Sequence, residues 1–373
     1  MVLSYFKEAP PPPPPPTLLA RLTALQPTYR QDGCGASAYP FLAATIIFTL
    51  GMQCWERYLD WRQHKRIRER GDRVPPELER LVDAMPTTAG ESSPAALLAK
   101  LKEKAPASRA YALDKSRFKF VSAAYSLAKA LAFVLLGAMP YLWDTAEGLG
   151  QRYFGEGHEI KVSLIFYGLW EVADTILNLP TALYATFGVE ARHGFNKTTP
   201  ALFATDLLKT LALTAALGGP CLALFIKIVM VAGPRNLAVY VGAFFVLVST
   251  FFVTIYPVVV QPLFNKYEPL EAGSLRAKIE ALAARVDYPL YKLFTVDGSK
   301  RSSHSNAYMY GFFKSKRIVL FDTLLKQASE EEIVAVLAHE LGHWHHGHVL
   351  LLSLIHISEP TRRYAISYAV FCL

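Results

Sequence analysis

The sequence predicts a mainly α, polytopic membrane protein with five spans, followed by a small α+β metal-binding segment. Three observations predict it. Hydrophobic residues make up 52% of the 373 positions and the mean hydropathy is +0.22, too apolar for a string of soluble domains of this length. Five apolar runs carry the excess, at 39–55, 120–143, 162–187, 201–231 and 237–260, most near the roughly 20 residues a bilayer requires. Beyond them lies His339-Glu340-Leu341-Gly342-His343, a pattern suited to holding a metal ion.

Taken in order, residues 1–38 contain the unbroken proline run Pro10–Pro16 and read as a disordered or polyproline II tail. The start lacks the basic residues and short apolar core of a secretory signal, so the run at 39–55 is the expected targeting element. Its flank, Trp55 to Arg62, mixes interfacial aromatics with arginines, as a cytosolic helix end should. The net charge of +8 gathers mostly in the loop that follows, where Arg62, Lys65, Arg66, Arg68, Arg70 and Arg73 crowd together. A nucleic-acid partner is not expected, because no basic fold with interleaved aromatics follows. Ala84–Arg109, rich in Ala, Ser, Pro and Lys, reads as a flexible insertion. Cys34, Cys54, Cys221 and Cys372 are scattered and form neither a disulfide framework nor a cysteine zinc site.

Five alternating spans put the long Lys/Arg-rich segments, 57–119 and 265–335, on one side. The amino terminus is then luminal and the His-Glu-x-x-His helix lies at the cytosolic face. Ionisable residues at membrane depth are costly and usually face a bundle interior or water. Lys129 and Lys227 are expected to snorkel, and Glu171, Asp174 and Asp206 are the better candidates to line a hydrated cavity.

After residue 264 the pattern changes. Glu271–Val286 has helical periodicity, with Leu275, Ile279, Leu282 and Val286 on one stripe, and Leu290–Asp297, Ala307–Phe313 and Arg317–Phe321 read as strands. Ile333, Val336 and Leu337 then recur at helical spacing, and no proline interrupts Glu330–Leu351. On that helix His339 and His343 are one turn apart on one face and reach a single ion at roughly 2.0–2.1 Å. Glu340 projects beside them as a candidate general base. Strands followed by such a helix suit a zincin-like layout, in which a strand edge holds an extended peptide beside the metal. By itself the pattern leaves two readings open, a catalytic zinc pair and a histidine-rich helix end to which His345, His346 and His348 add weight. A catalytic site also needs a third protein ligand.

Several longer motifs bear on that choice. Val296-Asp297-Gly298-Ser299-Lys300-Arg301-Ser302-Ser303-His304-Ser305-Asn306-Ala307-Tyr308 is the most specific, continuing through Tyr310-Gly311-Phe312-Phe313 and Arg317–Leu325. His193-Gly194-Phe195-Asn196, Thr254-Ile255-Tyr256, Pro262-Leu263-Phe264 and Pro140-Tyr141-Leu142-Trp143 accompany it. With His339–Trp344 these resemble the type 1 CAAX prenyl proteases, integral membrane zinc endopeptidases of the endoplasmic reticulum, over about 39–348. The resemblance implies seven membrane helices in a complete member, enclosing a large chamber. It implies removal of the last three residues from prenylated CAAX proteins, which are the expected partners together with the lipid bilayer. It makes His339 and His343 ligands of one zinc ion and Glu340 the catalytic base, and it places His304, Asn306 and Tyr308 on the substrate-side strand. The expected location is the endoplasmic reticulum membrane, multi-pass, with the active site toward the cytosol.

The chain departs from the family after His348. The family's third ligand is a glutamate on a later helix, for which this sequence has no room. Leu352–Arg362 instead resembles a translated transposase sequencing adapter, and Ile366–Leu373 the outer primer of that library, with Arg363–Ala365 filling the index. The expected division is therefore a tail at 1–38, a membrane domain at 39–264, an incomplete zinc metallopeptidase domain at 265–351 and adapter DNA read as protein at 352–373. His356 and Glu359 then carry no function, and the chain as written is expected to be truncated and inactive. The rival readings are a membrane quality-control zinc protease with unlipidated substrates and a transporter that binds metal incidentally.

Overall fold

The structure, a computed structural model, describes residues 41–84, 93–311, 315–348 and 351. The proline-rich tail at 1–38 and residues 352–373 lie outside these. The chain divides into two units, Met1–Val189 and Glu190–Leu373.

In the first unit, helix α1 (Phe41–Arg70) runs from the first apolar stretch past exposed Trp55, Tyr58 and Trp61 into the basic segment without a break. A short helix α2 (Pro76–Asp83) precedes α3 (Pro94–Leu135), which packs along α1. Buried Asp60 fixes that pairing, with Lys119 Nζ 2.5 Å and Arg57 Nη1 3.1 Å away. Much of the expected flexible insertion is therefore helical, from Pro94 onward. Ser93 accepts the Ala96 N–H and Pro94 starts the helix, after which Ala, Leu, Lys and Glu favour it strongly enough to absorb Pro106. The run expected to span at 120–143 is broken. Gly137 takes φ 66°, separating α3 from α4 (Ala138–Phe154). Helix α5 (Glu159–Leu183) follows and continues through a wide π-type turn, Tyr184–Glu190. Lys129 does not snorkel. Its Nζ lies 2.8 Å from both Asp174 Oδ1 and Asn178 Oδ1, so Asp174 is a paired charge.

In the second unit, Thr199 caps α6 (Pro200–Leu213), and α7 (Gly219–Ile255) follows, kinked at Gly233. A short helix α8 (Gln261–Phe264) closes the apolar part. Among the described residues three helices are long and apolar enough to cross a membrane: Pro94–Leu135, Pro200–Gly233 and Arg235–Phe264.

The rest is a four-stranded sheet with helices against it. Strands β1 (Tyr267–Pro269), β2 (Leu290–Val296), β3 (Ala307–Tyr310) and β4 (Lys316–Phe321) lie in the order β1-β2-β4-β3. β2 and β4 are parallel and the outer pairs antiparallel. Helices α9 (Ser274–Arg285), α10 (Asp322–Gln327) and α11 (Glu330–His345) complete the segment. Ile279, Leu293, Ile318, Leu320, Ile333, Leu337 and Leu341 form its core, each at most 5% exposed. Each such side chain contributes about 1.5–3 kcal/mol on burial. Core packing is thus concentrated under α11.

Candidate active site

Helix α11 begins with a capping box. Ser329 accepts the Glu332 N–H through its side chain, and Glu332 Oε2 accepts the Ser329 N–H at 2.8 Å. Ile333, Leu337 and Leu341, at intervals of four, turn one stripe into the core. Val336, expected on that stripe, is 40% exposed and lies off it. At the far end Trp344 packs edge-to-face on Tyr288, ring centroids 4.9 Å apart, and Lys316 Nζ sits 4.0 Å above the Trp344 ring. Burial pushes the Lys316 pKa down and that of Tyr288 up. With one stripe anchored at both ends, the opposite face must turn outward.

That face carries His339 and His343, and Glu340 lies beside them at the flank of the core stripe. The Nε2 atoms of the two histidines are 3.0 Å apart, with His339 exposed and Glu340 and His343 half-buried. Two nitrogens each about 2.0–2.1 Å from one tetrahedral zinc stand about 3.3 Å apart, so the pair fits the ion as two of its ligands. No third His, Cys, Asp or Glu joins them among the described residues. His343 makes one more contact: its Nδ1 is 2.9 Å from Nδ1 of His348.

The outer strand β3 lies against α11. It pairs with β4 alone in the sheet, which leaves its other edge without a strand partner among the described residues. The three residues expected on the substrate side lie on or before this strand. His304 Nε2 is 3.2 Å from Glu190 Oε2, and its ring stacks on Phe195 at 4.2 Å. Asn306 Oδ1 accepts the Ala307 N–H at 2.9 Å, which is a local turn bond. The Tyr308 hydroxyl is 2.9 Å from that of Tyr267, and burial with this bond pushes the Tyr308 pKa up. Tyr267 belongs to β1, a strand the sequence pattern did not announce.

The chain leading into β3 is pinned at several points. Arg301 donates from Nε and Nη2 to Asp206 at 2.7 and 2.9 Å, from Nη2 to the Phe264 carbonyl at 2.8 Å, and from Nη1 to Asn265 Oδ1. Asp206, expected to face a cavity, is instead the partner of this guanidinium. Ser299 donates its N–H to Asp322 Oδ1 at 2.9 Å and its hydroxyl to Oδ2, and Lys326 Nζ lies 2.9 Å from Oδ2.

Burial raises the Asp322 pKa, but the bonds from Ser299 and Lys326 outweigh it and hold the carboxyl below its usual range. A depressed carboxylate adds stability above its unfolded pKa, about 3.9, and loses that contribution as pH falls through the folded value. Asp322→Asn should therefore lower the melting temperature at pH 7 and flatten its decline below about pH 4. An unchanged pH profile between pH 7 and 3 would contradict this.

Comparisons with known proteins agree with this layout. The family described as CAAX prenyl protease N-terminal, five membrane helices, matches residues 63–266, and Peptidase family M48 matches residues 269–371. A CAAX prenyl protease 1 homologue of Oryza sativa subsp. japonica is 44% identical over 84% of this chain and 69% of its own length. The chain belongs to the CAAX prenyl protease family. As an M48 peptidase with a membrane domain, it is a membrane metalloprotease in kind. A Homo sapiens homologue is 37% identical over 82% of this chain and 68% of its own length. The crystal structure of S. mikatae Ste24p superposes with a TM-score of 0.74, at 39% identity over 85% of this chain and 70% of that one. The motifs at 296–308 and 339–344 both lie within the residues matched by Peptidase family M48.

Proposed function

We propose that His339 and His343 are two ligands of a catalytic zinc ion in an endopeptidase that releases the last three residues of prenylated CAAX proteins at the endoplasmic reticulum membrane, its active site toward the cytosol. The observation that carries the reading is the pair of Nε2 atoms 3.0 Å apart on the outward face of α11, beside a strand with one open edge. Membership of a family whose relatives are named CAAX prenyl proteases supports the substrate class.

When bound, zinc supplies a Lewis acid for the scissile carbonyl and a lowered pKa for the attacking water. Glu340 takes a proton from that water and passes it to the leaving amine nitrogen as the carbon–nitrogen bond breaks, which balances the hydrolysis. The open edge of β3 holds the peptide extended by main-chain bonds. His304, Asn306 and Tyr308 shape the approach to it. The prenyl group stays in lipid while its peptide enters, which suits a site beside membrane helices. We assign the third ligand to a glutamate that is not among the described residues.

The test is tripeptide release from a farnesylated CAAX peptide in lipid vesicles. It is run with zinc present, on enzyme that holds all three ligands, which is expected to cleave. Chelation should abolish cleavage by the active form, and added zinc should restore it. Equal cleavage of unprenylated, misfolded protein would favour the quality-control reading, and chelator-resistant cleavage would sink the zinc assignment.

A further inference from the structure

We propose that His348 is a positioning residue that fixes His343 as an Nε2 metal ligand, and that Gly347 is the hinge that brings it there. The inference rests on the zinc reading above and extends it to two residues outside the His-Glu-x-x-His pattern. It starts from where the helix stops. A proline-free run to Leu351 suggests a longer helix, yet α11 ends at His345. His346 N–H bonds to the Gly342 carbonyl at 3.0 Å and Gly347 N–H to the Trp344 carbonyl at 2.9 Å, closing the last turn. Gly347 then takes φ 62°, the left-handed conformation that glycine adopts at least cost.

That turn has a consequence for His348. In a continuing helix a residue five positions after His343 would project about 140° around the axis and miss it. Through the left-handed turn, His348 returns over the same face, and its Nδ1 reaches Nδ1 of His343 at 2.9 Å. The Nε2 of His343 points the other way, toward Nε2 of His339 at 3.0 Å.

The tautomers follow. With the Nε2 lone pair committed to a metal, neutral His343 carries its proton on Nδ1 and donates it. His348 Nδ1 must then accept, so His348 keeps its own proton on Nε2. A ligating imidazole held in this way has its ring orientation and its basicity set by the partner, and losing such a partner weakens metal binding by about 10–100-fold. His345 makes no comparable contact with His339, His343 or His348 among the contacts of the described residues, whereas the His346 ring stacks on that of His348 with centroids 5.5 Å apart. His345 serves as the internal control.

The experiment measures apparent zinc affinity of the 373-residue chain in lipid nanodiscs, by competition with a chromophoric chelator, alongside thermal melting. His348→Ala is expected to weaken zinc binding about 10–100-fold. His348→Gln, whose amide oxygen accepts the same proton, should recover most of the loss, and His345→Ala should stay within about twofold of the parent. Gly347→Ala keeps every other side chain and strains only the turn; it should weaken binding in the same direction. The proposal is overturned if His348→Ala binds zinc as the parent does, or if His348→Gln is as weak as His348→Ala with the melting temperature unchanged. Zinc binding by the parent that survives His339→Ala and His343→Ala together would instead sink the assignment of those two residues.

Discussion

Glu340→Gln is expected to lower peptide hydrolysis by the zinc-loaded enzyme about 10²–10⁴-fold while zinc affinity stays within about twofold. The amide has the shape of the carboxylate and keeps its place on α11, one residue after His339 and three before His343, whose Nε2 atoms are 3.0 Å apart. It cannot take a proton from water, and the loss therefore falls on kcat and leaves KM for a prenylated peptide nearly unchanged. His339→Ala or His343→Ala should behave differently, losing metal and turnover together. A transporter that binds metal incidentally would tolerate Glu340→Gln with transport intact. Retention of more than a tenth of the parent kcat by Glu340→Gln would remove Glu340 from the chemistry.

The histidine pair was legible because it is local. Spacing of four along a helix puts two side chains on one face whatever the tertiary fold, and Ser329 with Glu332 marks where that helix begins. The three longer strands were legible for the same reason, from their β-branched and aromatic runs. Where the reading went astray, the deciding interaction lies far away in sequence or in a single backbone angle. Tyr267–Pro269 is three residues long and ends in proline, too short to show a pattern, and becomes a strand only by pairing with β2. Lys129 looked like a snorkelling charge because its partners, Asp174 and Asn178, lie on another helix. Within Ala84–Arg109, composition hid the helix that runs from Pro94 onward, since alanine and lysine are as common in helices as in linkers. The end of α11 turned on Gly347, whose left-handed angle a run of apolar and histidine residues did not announce.

Arg301 is the clearest case of a non-local device, and its removal should have the largest structural effect outside the core. One guanidinium joins α6, through Asp206, to Phe264 and Asn265 at the end of the apolar helices. Its own backbone carbonyl accepts Lys197 N–H at 3.0 Å, and Ser303 N–H bonds to the Phe195 carbonyl at 3.0 Å, so residues 301–303 run beside 195–197. The planar fork makes a bidentate pair that lysine cannot copy. Breaking a fully buried pair costs about 3–5 kcal/mol; with Arg301 and Asp206 side chains 23% and 21% exposed, solvent screening brings the expectation for Arg301→Ala to about 2 kcal/mol. Arg301→Lys should lose about half of that. In a double-mutant cycle with Asp206→Asn, a coupling energy of about 1–2 kcal/mol is expected from thermal melts in lipid nanodiscs. Because 301–303 lead directly into β3, the same variants should raise KM for a prenylated peptide more than they lower kcat. Additive melts in the cycle would mean that the pair is incidental, and a kcat loss with unchanged KM would mean that the strand approach does not depend on it.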